Sequence, residues 1–188
     1  MDIKFLFRKN TPAELMSKAL EECNAVLLND FGPRHRLESD NAPDLLVTGS
    51  DVNFTESTDD NNKVVGLLTM HYTEASRAWE LGTVSARKTY SHNTILQSFM
   101  DRVPDAIVGE FMKDDTAPAW LVRRVKQESK MQINLFKNFG FEEPAHFMIG
   151  VLSNDGYIPF DPFDEVLLKR KLCPPSMTAQ VGSVVFST

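Results

Sequence analysis

The run MQINLFKNFGFEEP, residues 131–144, dictates how one helix must end. Ile133, Phe136 and Lys137 follow a helical spacing, Gly140 can take the left-handed conformation that closes a helix, and Pro144 keeps the helix from resuming. Phe139 and Phe141 flank the glycine, so the turn is predicted to be stapled to an apolar core beneath it.

The rest of the chain supplies that core as a succession of short elements. Residues 2–8 read as a strand. Thr11 reads as the N-cap of a helix with Pro12 at its first position and Glu14 in its first turn, running to about residue 28 with Leu15, Ala19 and Leu20 on one face. Residues 31–44 make a polar loop containing Pro33 and Pro43, longer than most connections, and long ordered loops are often functional. A strand over 45–55 and a hairpin turn over 56–63 lead to the two best strands, VVGLLTMHY (64–72) and RAWELGTVSA (77–86). A helix over 91–102, a strand over 106–112 and a helix over 117–139 follow, Pro118 falling where a first helical turn tolerates it. Strands over 145–152 and 165–172 close the order. The predicted class is α+β: a mixed, mostly antiparallel sheet with a central parallel pair and flanking helices, the pair forming around a strand-helix-strand unit over 78–112. A single domain over 1–172 and a tail over 173–188 are expected.

Composition narrows the function classes. The 188 residues, 42% hydrophobic and 24% charged, suit one ordinary folded domain. A net charge of −6 argues against a nucleic-acid backbone as the main partner and fits a cationic or a small-molecule substrate equally well. No run approaches the roughly 18 apolar residues of a membrane span, and MDIKFLFRKN lacks a signal-peptide cleavage site, so a cytoplasmic protein with no membrane partner is expected. Cys23 and Cys173 are too few and too scattered for a zinc site, so free thiols and no metal are expected. Patterns for zinc hydrolases, serine hydrolases and P-loop ATPases are absent from the sequence.

The element order and the FGF turn resemble the GNAT superfamily of N-acetyltransferases. LFKNFGF (135–141) is similar to that family's L-Y-x-x-x-G-F helix end. ELGTVSARKTYSHNTILQSFM (80–100) lies without a gap on its strand, V-x-P-x-Y-R-x-x-G-x-G loop and helix, and EVLLKRKL (165–172) resembles its final strand. The resemblance implies an acyl-CoA-dependent N-acyltransferase, with acetyl-CoA as donor and a small-molecule or peptide amine as acceptor. It places the coenzyme against Val84, Ser85, Ala86, Ser91, His92, Asn93, Thr94, Ile95, Leu96 and Phe136, gives Glu80 the role of general base, and adds backbone contacts at Gly82 and Thr83.

The chain also departs from the family pattern. His92 and Thr94 stand at the two glycine positions, Ser91 stands in place of the usual arginine or glutamine, and Phe136 replaces the tyrosine that serves as general acid. A phenyl ring has no proton to donate. Several pairs of readings therefore stand side by side. SHNT (91–94) is an anion-binding loop or a plain N-cap cluster, and Glu80 is a base or a strand carboxylate paired with Arg77 or a cross-strand lysine. Arg34-His35-Arg36 is a substrate contact or a solvated charge run. The whole is an enzyme or a GNAT-fold binding or structural module that has lost catalysis.

Overall fold

The computed structural model describes residues 1–51, 64–74, 76–111, 120–145, 161 and 163–172. Strands β1 (Asp2–Phe7), β2 (Leu45–Ser50), β3 (Val64–Thr73), β4 (Ala78–Ala86), β5 (Trp120–Lys126) and β6 (Glu165–Lys171) form one six-stranded sheet in chain order. Every neighbouring pair is antiparallel except β4 and β5, which run parallel. The predicted class is therefore the observed one.

Helix α1 (Ala13–Phe31) covers one face, burying Met16, Leu20, Cys23, Val26 and Leu27 in a cluster with Leu46 and Leu67. These positions recur every three or four residues, as one stripe of an α-helix requires. Leu15, predicted on that stripe, lies off it and is 51% exposed. The start is also one residue later than predicted: Pro12 is the N-cap and its carbonyl accepts from Met16 N, while Thr11 precedes the helix. The loop after α1 contains two single 3₁₀ turns, Pro33–His35 and Ser39–Asn41.

Helices α2 (His92–Met100), α3 (Val103–Phe111) and α4 (Lys130–Asn138) bury their apolar side chains in a second cluster, where Ile95, Phe99, Ile107 and Phe136 meet Leu68, Met70, Leu81 and Leu121. Two sequence readings are overturned here. Residues 106–112 were expected as a strand, but Val103, Ile107 and Phe111 sit at i, i+4 and i+8 on one buried face of α3. The helix expected over 117–139 is a strand and a shorter helix. In β5 the side chains alternate, Leu121 and Val125 entering the large core while Val122 joins Ala78 and Leu167 on the other face. The parallel partner of β4 is thus β5, reached through both α2 and α3, and not a strand ending at 112.

The FGF turn is as predicted. Gly140 has φ +81, and Phe139 and Phe141 are buried, each edge-to-face with Phe136. The 56–63 turn, Pro118, Cys173, the tail, and nearly all of the strand expected over 145–152 lie outside the described residues. Among the described residues no helix is long and apolar enough to cross a membrane, and no His/Cys/Asp/Glu group is arranged to hold a metal.

Candidate functional site

The parallel ladder between β4 and β5 stops after Glu80↔Val122, although β4 continues to Ala86. A β-bulge lies just beyond that point. Met70 pairs with Leu81 and Leu68 with Val84, so Thr69 faces both Gly82 and Thr83. Thr83 N donates to Thr69 Oγ1 at 2.8 Å, and a Cβ at position 82 would stand 2.6 Å from that oxygen, so the bulge requires glycine there. A bulge sharpens local twist. Where the strands part, a cleft of about 1010 Å³ opens, bordered by the end of α1, by β3, β4 and β5, and by α2 and α4.

Of the residues expected at the site, Glu80, Val84, His92, Asn93, Leu96 and Phe136 line this cleft, as do Gly82 and Thr83. Ser85, Ala86, Ser91, Thr94 and Ile95 are not in its lining. Ser85 and Ala86 are fully buried and bond to Asp30, and Ile95 is packed in the core. Ser91 is the N-cap of α2 by backbone position but makes no side-chain cap bond, and its carbonyl accepts from Ile95 N. Thr94 offers its carbonyl to the Ser98 hydroxyl. Asn93 and Thr94, like His92, lie in the first turn of α2, where helical amides lack an intrahelical acceptor.

The charges near the cleft are arranged in two groups. At one end Asp30, from α1, accepts from the Ser85 hydroxyl, from Ala86 N at 3.2 Å and from His92 Nε2 at 2.8 Å. Burial alone would push the Asp30 carboxyl up, but the bonds from Ser85, His92 and Ala86 outweigh it and hold it below the usual carboxylate range. At the other end Glu80 accepts from both Nε and Nη2 of Arg124 on β5, with the two side chains only 13% and 10% exposed. The partner is therefore neither Arg77 nor a cross-strand lysine. His71 stands opposite Glu80 across the β3/β4 ladder, its Nδ1 3.9 Å from Asp44 Oδ2. Burial, partly offset by Asp44 and Glu80, keeps the imidazole below its ordinary value.

Between these groups Arg123 reaches across the fork. Its Nη1 donates to the carbonyls of Leu81, at 2.8 Å, and Gly82, and its guanidinium lies 5.7 Å from the Phe136 ring centroid. Its Nε is buried without a partner among the described residues. Arg123 and Arg124 lie inside the span that the sequence predicts as helix, and WLVRRVK carries no clean two-residue alternation that would mark them as strand residues. Asp30 and His71 carry no local signal, since each acquires its neighbours only when distant strands and helices come together.

No protein-family model matches the sequence, and no curated protein matches it. Solved structures do match over nearly the whole length. The Escherichia coli ribosomal-protein-S18-alanine N-acetyltransferase has 11% identity and a TM-score of 0.57, covering 94% of this chain and 98% of its own. Arabidopsis thaliana NAA60 with a bisubstrate analogue has 16% identity and a TM-score of 0.58, covering 93% and 100%. Tetrahymena GCN5 has 14% identity and a TM-score of 0.53, covering 93% and 98%. The chain has the GNAT fold. Within this GNAT fold the parallel β4/β5 pair, the parting of those strands and the α2 N-terminus lie together at one cleft.

Proposed function

We propose that the chain is an acyl-CoA-dependent N-acyltransferase that moves an acetyl group from acetyl-CoA to a small-molecule or peptide amine. The observation that carries this reading is the cleft at the β4/β5 parting, which joins a carboxylate, Glu80, to the first turn of α2. The chain's groups fit the coenzyme at one place above all. The amides of His92, Asn93 and Thr94 meet no protein acceptor among the described residues, and a helix N-terminus with open amides favours a phosphate. Val84, Ser85, Ala86, Ser91, Ile95 and Leu96 complete that end of the proposed coenzyme site, Ser85, Ala86 and Ile95 as the buried frame behind it. Phe136 forms an apolar wall of the cleft.

Acetyl-CoA supplies an activated acyl group as a thioester. Glu80 is the proposed base, acting directly or through a water, because an ammonium has no lone pair until it loses a proton. Arg124 holds the Glu80 carboxylate in place. The structural neighbours support the reading by what they are: NAA60 has been solved with acetyl-CoA, and the E. coli relative acts on the alanine of a ribosomal protein. Glu80→Gln is expected to lower acetyl transfer at least about tenfold, with acetyl-CoA affinity unchanged. Parental turnover in that variant across pH would remove Glu80 from the chemistry.

A second reading has its own observation. Arg123 already satisfies the carbonyls of Leu81 and Gly82 on the open edge of β4, which suits a protein that uses this fold for binding or structure without transfer.

A further inference from the structure

Glu80 is poorly placed to keep a proton. Protonating it would break its ion pair with the largely buried Arg124 guanidinium, a costly outcome away from water. The neighbouring imidazole faces two carboxylates, Asp44 and Glu80, that favour its protonated form. His71 and Glu80 are directly opposed residues of an antiparallel pair, and such partners hold their Cβ atoms about 4.5–5.5 Å apart. Both line the same cleft.

We propose that His71 is the terminal proton acceptor of this site, with Glu80 as the fixed charge that passes the proton on and stabilises the resulting imidazolium. The inference rests on the acyltransfer reading above. The acceptor ammonium gives up one proton toward Glu80 and His71. Its freed lone pair forms the C–N bond as the thioester C–S bond breaks, the second nitrogen proton balances the departing thiolate as a thiol, and His71 returns its proton to solvent. A histidine is suited to this because it can be neutral at rest near pH 7 and still accept a proton.

The surrounding charges set its working range. Asp44, just before β2, and Glu80, on β4, favour the imidazolium; Arg8, just after β1, opposes it, and burial opposes it most. Arg124 on β5 stands behind Glu80, and His35 and Glu165 also border the cleft. Asp44 is itself fixed, its Oδ2 accepting from Tyr72 N at 2.9 Å.

The test has two arms. In the first, the His71 imidazole is titrated by NMR in the parent and in Glu80→Gln. The midpoint is expected below 6.5 in the parent and lower still in the variant, since a charge that favoured protonation has gone. A midpoint that Glu80→Gln leaves in place overturns the inference. In the second arm, thiol release from acetyl-CoA is followed against pH with spermidine and an alanine-initiated peptide as probe amines. His71→Gln is expected to lose at least about tenfold in kcat and the acid limb of the parental profile, with KM for acetyl-CoA unchanged; His71→Asn replaces it if circular dichroism shows misfolding. A variant that keeps the parental rate and limb overturns the inference. Absence of any acetyl-CoA binding by the parent sinks the transferase reading instead, and the titration separates that failure from this one.

Discussion

Asp30 gathers the Ser85 hydroxyl, the Ala86 amide and the His92 imidazole onto one carboxylate oxygen, tying the end of α1 to the end of β4 and the start of α2. Its carboxyl is held below the ordinary range, so the folded state binds its proton less readily than the unfolded chain does. The contribution to stability is therefore present above the unfolded value of about 4 and is lost as pH falls through the lower folded value. Asp30→Asn keeps the shape and removes the charge. It is expected to lower stability by on the order of 1 kcal/mol at neutral pH, with the gap to the parent closing in acid, as chemical denaturation at several pH values would reveal. A gap independent of pH would mean that the carboxylate's charge does not matter. None of this is legible in the sequence, where Asp30 is one acid near a helix end and His92 is one member of the SHNT stretch.

At the scale of elements, the bulge in β4 decides whether there is a site at all. Gly82→Ala would press a methyl group onto Thr69 Oγ1 and stand 3.2 Å from the Thr69 carbonyl. Relieving that contact means giving up the Thr83 N bond or flattening the bulge, so a loss of roughly 1–3 kcal/mol is expected in denaturant unfolding. Adding Thr69→Ala removes the nearer of the two atoms and should return part of the loss, giving a non-additive cycle. Strict additivity would place the cost elsewhere. The ends of elements were legible where a residue's own backbone decides them, as at Gly140, whose positive φ closes α4. The type of element was not legible where apolar runs are short. Residues 103–111 offer Val, Ile and Phe in a span too brief for periodicity to separate helix from strand. In 120–126 the arginines and lysine suit a helix by propensity, and only pairing with β4 and β6, which are distant in sequence, makes the segment a strand.

Across the whole molecule, the fold class and the presence of a parallel pair at β4 were legible in the sequence, while the strand that completes that pair and the charges that equip the cleft were not. Glu80 is singled out by the resemblance and lines the cleft, but its Arg124 partner, the opposed His71 and the Arg123 bridge depend on which strands lie side by side. The central claim is that this cleft takes acetyl-CoA, with phosphate at the first turn of α2 and the acyl end near Glu80 and Phe136. The most direct measurement is calorimetric titration of the full chain with acetyl-CoA, repeated with His92→Gly/Thr94→Gly. A saturable heat with one coenzyme per chain, strengthened when glycines let the backbone approach the phosphate more closely, is the predicted result. No heat in either protein, even at millimolar coenzyme (a Kd weaker than about 1 mM is worth less than 4.1 kcal/mol), would contradict the claim and leave the GNAT fold serving a purpose other than acyl transfer.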